Sequence, residues 1–312
     1  MNEKIIAIVG PTASGKSALA LALAEKLGGE IVSCDSMQLY RRMNIGTAKP
    51  TADELARVRH HLIDVCEPDE DFSCADYVTL ASRAIEDITS RGKLPIVCGG
   101  TGLYLDALLR KNDLAPDTVD ENLRAELWER YEREGAETLW RELLSIDPAS
   151  AEATHPNNVK RVLRALEIYY TSGVTKTELD LRSREGGMRY DARVLYLSYT
   201  DREQLYGRIN RRVDQMIAEG LVEETEALRT EGVFEKNRTA AQAIGYKEIL
   251  PYCEGRISLA EAAEDLKMAT RRYAKRQITW FSAKSYAEPL TVTPSDRFEN
   301  ILENAEKLFQ NF

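Results

Sequence analysis

The chain has 312 residues, of which 43% are hydrophobic and 30% charged, with 18 Gly and 10 Pro; this is the make-up of an ordinary folded protein and excludes a disordered tail or a small disulfide scaffold. Its length exceeds one minimal domain and fits one large α/β domain or a core carrying an inserted subdomain. The formal net charge of −9 argues against wholesale non-specific binding to nucleic acid, which Lys and Arg contacts to phosphate drive, but leaves room for a local basic stripe.

In chain order, the apolar run Lys4–Val9, the turn Gly10–Ser17 and the Ala/Leu-rich segment Ala18–Leu27 read as strand, loop and helix. Further strands are expected at Glu30–Ser33, His61–Cys66 and Leu94–Cys98, with a helix at Cys74–Arg91. Strands alternating with helices imply a parallel sheet wound with helices on both faces. After Leu109 the pattern turns all-helical, with amphipathic segments at Asp120–Glu134, Glu137–Ser145 and Asn158–Thr171. A strand returns at Arg193–Tyr199, then a helix from Asp201 to about Glu219 and a long one at Ser258–Phe281. The expected division is an α/β core (1–112), an all-helical insertion (113–190) and a mostly helical core return (191–312).

No run approaches the roughly 20 consecutive apolar residues of a membrane span. The N-terminal MNEKIIAIVG leads into a motif instead of a cleavable signal, so a cytoplasmic protein without membrane contact is expected. Cys34, Cys66, Cys74, Cys98 and Cys253 form no C-x-x-C pair, and the last histidine is His155. Neither a disulfide framework nor a zinc site can be built from that spacing.

GPTASGKS (Gly10, Pro11, Thr12, Ala13, Ser14, Gly15, Lys16, Ser17) satisfies the G-x-x-x-x-G-K-[ST] phosphate-loop pattern between a strand and a helix. The glycines let the backbone wrap an anion, successive N–H groups point inward and the helix adds its positive end. Lys16 supplies a full charge and Ser17 a hydroxyl for Mg²⁺. ATP, GTP and a prenyl diphosphate are all admissible ligands. Asp35 follows the second strand, at the carboxyl edge that lies next to such a loop, where an acid serves as general base or holds Mg²⁺ through water; its plain alternative is to cap a turn with Ser36.

These strings, together with DSMQLYRRMNIGTAKP (Asp35 to Pro50), GGTGLYLDALL (Gly99 to Leu109), RALEIYYTSG (Arg164 to Gly173), AIGYKEIL (Ala243 to Leu250) and TRRYAKRQITWF (Thr270 to Phe281), resemble the bacterial tRNA dimethylallyltransferase family over nearly the whole chain. The resemblance implies a P-loop NTPase-like core that transfers a dimethylallyl group from dimethylallyl diphosphate to N6 of the adenine on the 3′ side of the anticodon. Asp35 would be the base, and Lys16, Ser17, Mg²⁺ and the Thr101 hydroxyl would stabilise the departing diphosphate. Thr101 is also a plausible N-cap for the helix that follows. Arg208 and Arg212 share a helix face and would clamp the diphosphate, unless they form a solvated face with Asp214 or Glu219.

The same resemblance assigns contacts with the tRNA anticodon stem-loop to Asp35, Ser36, Met37, Gln38 and Thr101 around the target base. It extends them to Arg124, Lys160, Arg161, Val162, Leu163 and Arg164 in the insertion, and to Gly245, Tyr246 and Lys247. Gln38 matches a position that reads the base. In Leu266–Phe281, Lys267, Arg271 and Lys275 fall at i, i+4 and i+8 with no acid in the segment, which predicts a phosphate-tracking stripe. Tyr40, Tyr104 and Tyr246 are candidates to pack against the base or prenyl tail, with plain core packing, the commoner fate of tyrosines at such spacing, as the alternative. Arg42 and Asn44 depart from the family's usual Gly and Asp; His60 and His61 read as strand-entry residues. The family default is a monomer. The alternative from a different class is a nucleotide or small-molecule kinase; a non-enzymatic RNA-binding regulator is opposed by the intact Lys16, Ser17, Asp35 and Thr101.

Overall fold

The computed structural model describes residues 3–111 and 120–309. It divides into two compact units, Met1–Leu108 with Tyr190–Phe312, and Leu109–Arg189. The expected boundary at 112/113 lies outside the described residues. The first unit opens with β1 (Lys4–Val9), α1 (Lys16–Leu27), β2 (Gly29–Cys34), α2 (Ala52–Arg57), β3 (His60–His61), α3 (Cys74–Ser90), β4 (Leu94–Gly99) and α4 (Gly102–Leu109). The second unit comprises α5 (Glu121–Glu134), α6 (Ala136–Ile146), α7 (Pro148–Glu152), α8 (Val159–Ser172) and α9 (Lys176–Glu185). The chain then returns through β5 (Asp191–Tyr199), α10 (Arg202–Ala218), α11 (Leu221–Thr230), α12 (Val233–Lys236), α13 (Arg238–Ala241), α14 (Tyr246–Cys253), α15 (Leu259–Ser282), β6 (Ala287–Val292) and α16 (Phe298–Phe309).

The strands form one sheet in the order β3-β2-β4-β1-β5-β6, with every pair parallel. All six residues of β2 and five of the six in β1 are buried, as a strand covered on both faces requires. On one face, Ile6, Ile8, Ile96 and Leu195 pack with Leu19 and Leu23 of α1 and Phe309 of α16. On the other, Tyr196 of β5 stacks on Phe281 of α15 with ring centroids 6.0 Å apart.

Two elements differ from expectation. The strand predicted for His61–Cys66 extends only over His60–His61, because Leu62 and Asp64 take left-handed φ of 63° and 55°; Cys66 returns only as an isolated bridge to Tyr40. The core return also contains a strand that the pattern did not announce. In β6, AEPLTV, only Leu290 and Val292 are buried, so the alternation is short and broken by Pro289, as suits an edge. The second unit holds five helices among its described residues where three were expected. Its core gathers Leu127, Leu139, Leu143, Val162 and Leu166, and Asp147 ties α7 to α9 by accepting from Ser150 N and from Thr177 N and Oγ1.

At the amino edge of the sheet, Glu30 is buried and fully paired. It accepts from Arg91 Nη2 at 2.7 Å and Lys93 Nζ at 2.8 Å, and its Oε2 lies 2.8 Å from His61 Nε2. The Arg91 guanidinium, more than any other neighbour, holds this carboxyl well below its usual range. A depressed carboxylate contributes stability that is present above its unfolded pKa and lost as pH falls. Glu30→Gln is therefore expected to lower stability by about 1.5–3 kcal/mol at neutral pH, the range for hydrogen bonds to a charged group. In denaturant melts, the gap to the parent should shrink from about pH 5 downward.

Candidate functional site

The phosphate loop leaves β1 through Gly10 (φ 147°), passes Ala13 at φ 60° and enters α1 at Gly15 (φ 91°). Its outer backbone is held by three side chains from other elements. Tyr199 Oη donates to Ser14 O at 2.7 Å, Arg208 Nε donates to Ala13 O at 2.7 Å, and Thr12 N–H donates to Gln277 Oε1 at 2.8 Å. The N-cap Gly15 provides no side-chain acceptor, so the first-turn N–H groups are available to an anion. Lys16 Nζ donates to Pro11 O at 3.3 Å. Burial draws the Lys16 pKa down, Arg212 adds to that, and Cys98 and Asp35 oppose it. Burial likewise lowers the Arg212 pKa against the pull of Asp35. Two desolvated cations thus converge beside one carboxylate, an arrangement that favours a bound polyanion. Of the two predicted clamp arginines, Arg212 faces this cluster, whereas Arg208 braces the loop's backbone.

Asp35 sits just past the end of β2. Its Oδ1 accepts from Met37 N at 2.9 Å and Gln38 N at 3.4 Å, an Asx turn that fixes the carboxylate while Oδ2 is not used by the turn. The capping alternative is thus real, and it orients the acid. Thr101 follows β4. Its Oγ1 accepts from Ser36 N at 3.0 Å, so the hydroxyl ties the two strand ends together instead of capping α4. Tyr273 of α15 approaches the same threonine, and burial, with Asp35 nearby, pushes its phenol well above the ordinary value. Close approach explains the glycine pair here. A Cβ on Gly99 would lie 2.0 Å from Cys34 O, and one on Gly100 would lie 2.1 Å from Gln277 Nε2. Beneath Ser17, burial pushes the Cys98 thiol up to about 11.

Gln38 is held at both ends of its amide. Nε2 donates to Thr47 O and Ala48 O at 3.3 and 3.0 Å, and Oε1 accepts from Ser33 Oγ at 3.1 Å. The 44–48 loop that supplies those carbonyls is anchored by Glu224, which accepts from the backbone N–H of Asn44, Ile45 and Gly46 and from Tyr246 Oη at 2.6 Å. Glu224 and Gln277 were missed by sequence reasoning. Glu224 is one acid among several on α11 and carries no local signal, while Gln277 lies four residues after Tyr273 on the same helix face.

Burial separates the residues that were expected around the base, prenyl tail and RNA. Tyr246 is fully buried, with Gly46 so close that a Cβ there would meet its ring at 2.5 Å, and Gly245 packs on Gly46 in turn. Val162 belongs to the core of the helical unit. Tyr40 and Tyr104 are also core, the latter stacked on Tyr77 at 4.3 Å. Lys247 remains exposed.

The helical unit carries a pocket of about 300 Å³ lined by Arg124, Leu127, Trp128, Lys160, Leu163, Arg164 and Glu167. Leu163, nearly buried, forms part of its floor. Glu167, itself buried, accepts from Arg124 Nε at 3.1 Å and Arg164 Nη1 at 2.9 Å and so pre-orients two guanidinium groups. Lys160 and Arg161 are exposed. On α15 the predicted stripe is partly neutralised, since Lys267 pairs with Asp214 of α10 at 2.8 Å and with Glu264 of its own helix at 3.0 Å, while Arg271 donates to the uncharged Asn210 Oδ1 at 2.8 Å. Lys275 is exposed.

A family model described as IPP transferase matches residues 38–284. The tRNA dimethylallyltransferase of Geobacillus thermodenitrificans is 48% identical over 298 residues, which is 96% of this chain and 93% of the relative. The chain belongs to the IPP transferase family. The crystal structure of the full-length tRNA isopentenylpyrophosphate transferase from Bacillus halodurans matches with a TM-score of 0.72 at 44% identity, covering 99% of this chain and 97% of that one. A eukaryotic dimethylallyltransferase acting on tRNA matches at 0.83 with 31% identity, covering 97% of this chain and 77% of its own.

In this IPP transferase, Arg42 occupies a left-handed position (φ 64°) and forms exposed ion pairs with Glu231 and Glu67. A non-glycine residue in that conformation costs about 1–2 kcal/mol, and an exposed pair returns about 0.2–1 kcal/mol. Arg42→Gly is accordingly expected to be neutral or to stabilise the enzyme by up to about 1 kcal/mol in urea melts. Glu224→Ala, which orphans three loop N–H groups, is expected to cost about 1–3 kcal/mol and to speed tryptic cleavage after Arg42, at the entry of that loop.

Proposed function

We propose that the enzyme alkylates N6 of the adenosine 3′-adjacent to the anticodon in tRNA, with dimethylallyl diphosphate as donor. One observation carries the reading: a carboxylate fixed by its own turn, Asp35, stands near two desolvated cations, Lys16 of the phosphate loop and Arg212 of α10. Base and leaving-group cradle therefore occupy one place. Membership of the IPP transferase family leaves no observation in favour of a kinase.

The chemistry follows from these residues. The adenine amino lone pair is delocalised into the ring, so removing its proton assists attack. N6 bonds to the allylic carbon as the C–O bond to diphosphate breaks, the electron pair leaves on the bridging oxygen, and the N6 proton passes to Asp35. Lys16, Arg212 and the loop N–H groups stabilise the growing negative charge in a partly desolvated site. Ser14 Oγ is buried without a partner among the described residues, a donor that a phosphate oxygen would satisfy. Among the described residues no group of three or more His, Cys, Asp or Glu is placed to hold a metal. Ser17 would hold Mg²⁺, which takes most of its ligands from phosphate and water, and the ion would neutralise charge on the diphosphate.

The target base must leave its stack to reach Asp35. Arg124, Lys160, Arg161 and Arg164 offer the anticodon stem-loop a basic surface on the helical unit, and Arg271 and Lys275 another on α15. The same reading takes the enzyme to be cytoplasmic, where its polynucleotide substrate is found, and a monomer, the family default.

Incubation with dimethylallyl diphosphate, Mg²⁺ and unmodified tRNA bearing consecutive adenines after the anticodon should yield an adenosine carrying one five-carbon unit by nucleoside mass spectrometry. ATP hydrolysis without that product would overturn the proposal. Asp35→Asn, which preserves the Asx turn, should lower kcat by about 10²–10⁴-fold with tRNA binding retained; lost tRNA binding with unchanged turnover at saturation would remove Asp35 from the base role. Lys275→Ala should weaken tRNA binding and reduce the magnitude of the log–log salt slope by about 1, and a slope equal to the parent's would return Lys275 to a purely structural surface.

A further inference from the structure

One buried side chain belongs to neither substrate surface and yet touches both catalytic loops. Gln277 is 5% exposed. Its Oε1 accepts from Thr12 N–H at 2.8 Å, in the first half of the phosphate loop, and its Nε2 donates to Gly100 O at 3.0 Å, in the turn that carries Thr101. The glycine at position 100 is required by this amide, whose nitrogen lies where a Cβ would sit. The neighbouring turns of α15 reinforce the contact: Tyr273 approaches Thr101, and Trp280 covers Gly102, where a Cβ would lie 2.3 Å from the indole. One helix face is thus seated along residues 100–102, and its central side chain extends across to the phosphate loop.

We propose that Gln277 is a positioning residue that presets the phosphate loop for diphosphate, holding the Thr12 peptide at a fixed distance from the β4–α4 turn. A loop of this kind binds an anion through consecutive N–H groups whose directions follow from the peptide planes before them. With the Thr12 N–H committed to Gln277, the peptides from Ala13 to Lys16 are aligned before the ligand arrives, and less ordering accompanies binding. The amide is suited to this task because it alone offers an acceptor and a donor of equal reach without charge. Since α15 also bears Arg271 and Lys275, the same rigid element connects the proposed RNA surface to the donor loop.

The inference rests on the reading of the loop as a diphosphate site, and the test separates the two. Inorganic diphosphate with Mg²⁺ is titrated calorimetrically into the full-length enzyme, and tRNA affinity and Tm are measured in parallel. Gln277→Met, similar in length but unable to form either bond, is expected to lose about tenfold in diphosphate affinity, on the order of one orphaned N–H, with tRNA affinity within about twofold of the parent. Gln277→Glu keeps the acceptor but regains the donor only when protonated. Burial beside an anion raises a carboxyl pKa, so its deficit relative to the parent at each pH should be largest near pH 8 and shrink toward pH 5. Repulsion of diphosphate by the ionised carboxylate adds to the same trend, so the deficit of Gln277→Met, which introduces no charge, is the part that belongs to positioning.

Equal or tighter diphosphate binding by Gln277→Met overturns the proposal, because it would make the side chain a competitor for the loop. A pH-independent deficit in Gln277→Glu overturns it as well, and decides the matter alone should Gln277→Met fail to fold. A parent that does not bind diphosphate overturns the phosphate-loop reading itself, whereas a binding parent with an unaffected variant overturns only the role of Gln277.

Discussion

The site exists because every strand in the sheet runs the same way. Parallel pairing delivers the ends of β1, β2 and β4, three adjacent strands, to a single edge, so a loop near the start of the chain, an acid after β2 and a threonine after β4 meet although the sequence separates them widely. Ligand crevices in open α/β sheets lie at this edge for that reason. The remaining placement falls to side chains from the returning half of the chain. Tyr199, Arg208 and Gln277 each satisfy a backbone group of the phosphate loop, and the Ser36–Thr101 bond joins the other two strand ends.

Charge is treated differently at the two edges. At the amino edge, Glu30 is enclosed by three potentially cationic partners and is electrostatically complete. At the carboxyl edge, Lys16 and Arg212 lose solvent without an equivalent set of anions, and the nearby carboxylate of Asp35 shares its Oδ1 with its own turn. Desolvating a cation without full compensation is unfavourable in the free protein. A bound diphosphate would reverse that imbalance, and the same pull would act more strongly as charge develops on the leaving oxygen.

The phosphate loop, the strand–helix alternation and the change to an all-helical segment after Leu109 were legible because each has a short-range physical signature: a glycine spacing or a hydrophobic period. The positions of Asp35 and Thr101 followed from sheet geometry. Less accessible was anything decided by partners distant in the chain. Lys267 looked free because residues 266–281 lack acids, yet it pairs both with Glu264 one turn earlier and with Asp214 of α10. Tyr246 and Val162 sit in motifs that also carry exposed basic residues, and only packing separates the buried members from the exposed ones. The short β3 was hidden because Leu62 and Asp64 adopt left-handed backbone that their residue types do not announce, and β6 because an edge strand needs only two inward side chains.

Those two terminal strands have a further consequence. A parallel sheet that ends in long unpaired strands presents a template on which another chain can add. Here one margin is only two residues long, and the other carries Glu288 and Pro289, a charge and a residue with no N–H to donate. Both margins are therefore poor sites for intermolecular strand pairing, which protects a slow-forming, non-local architecture from self-association while it assembles.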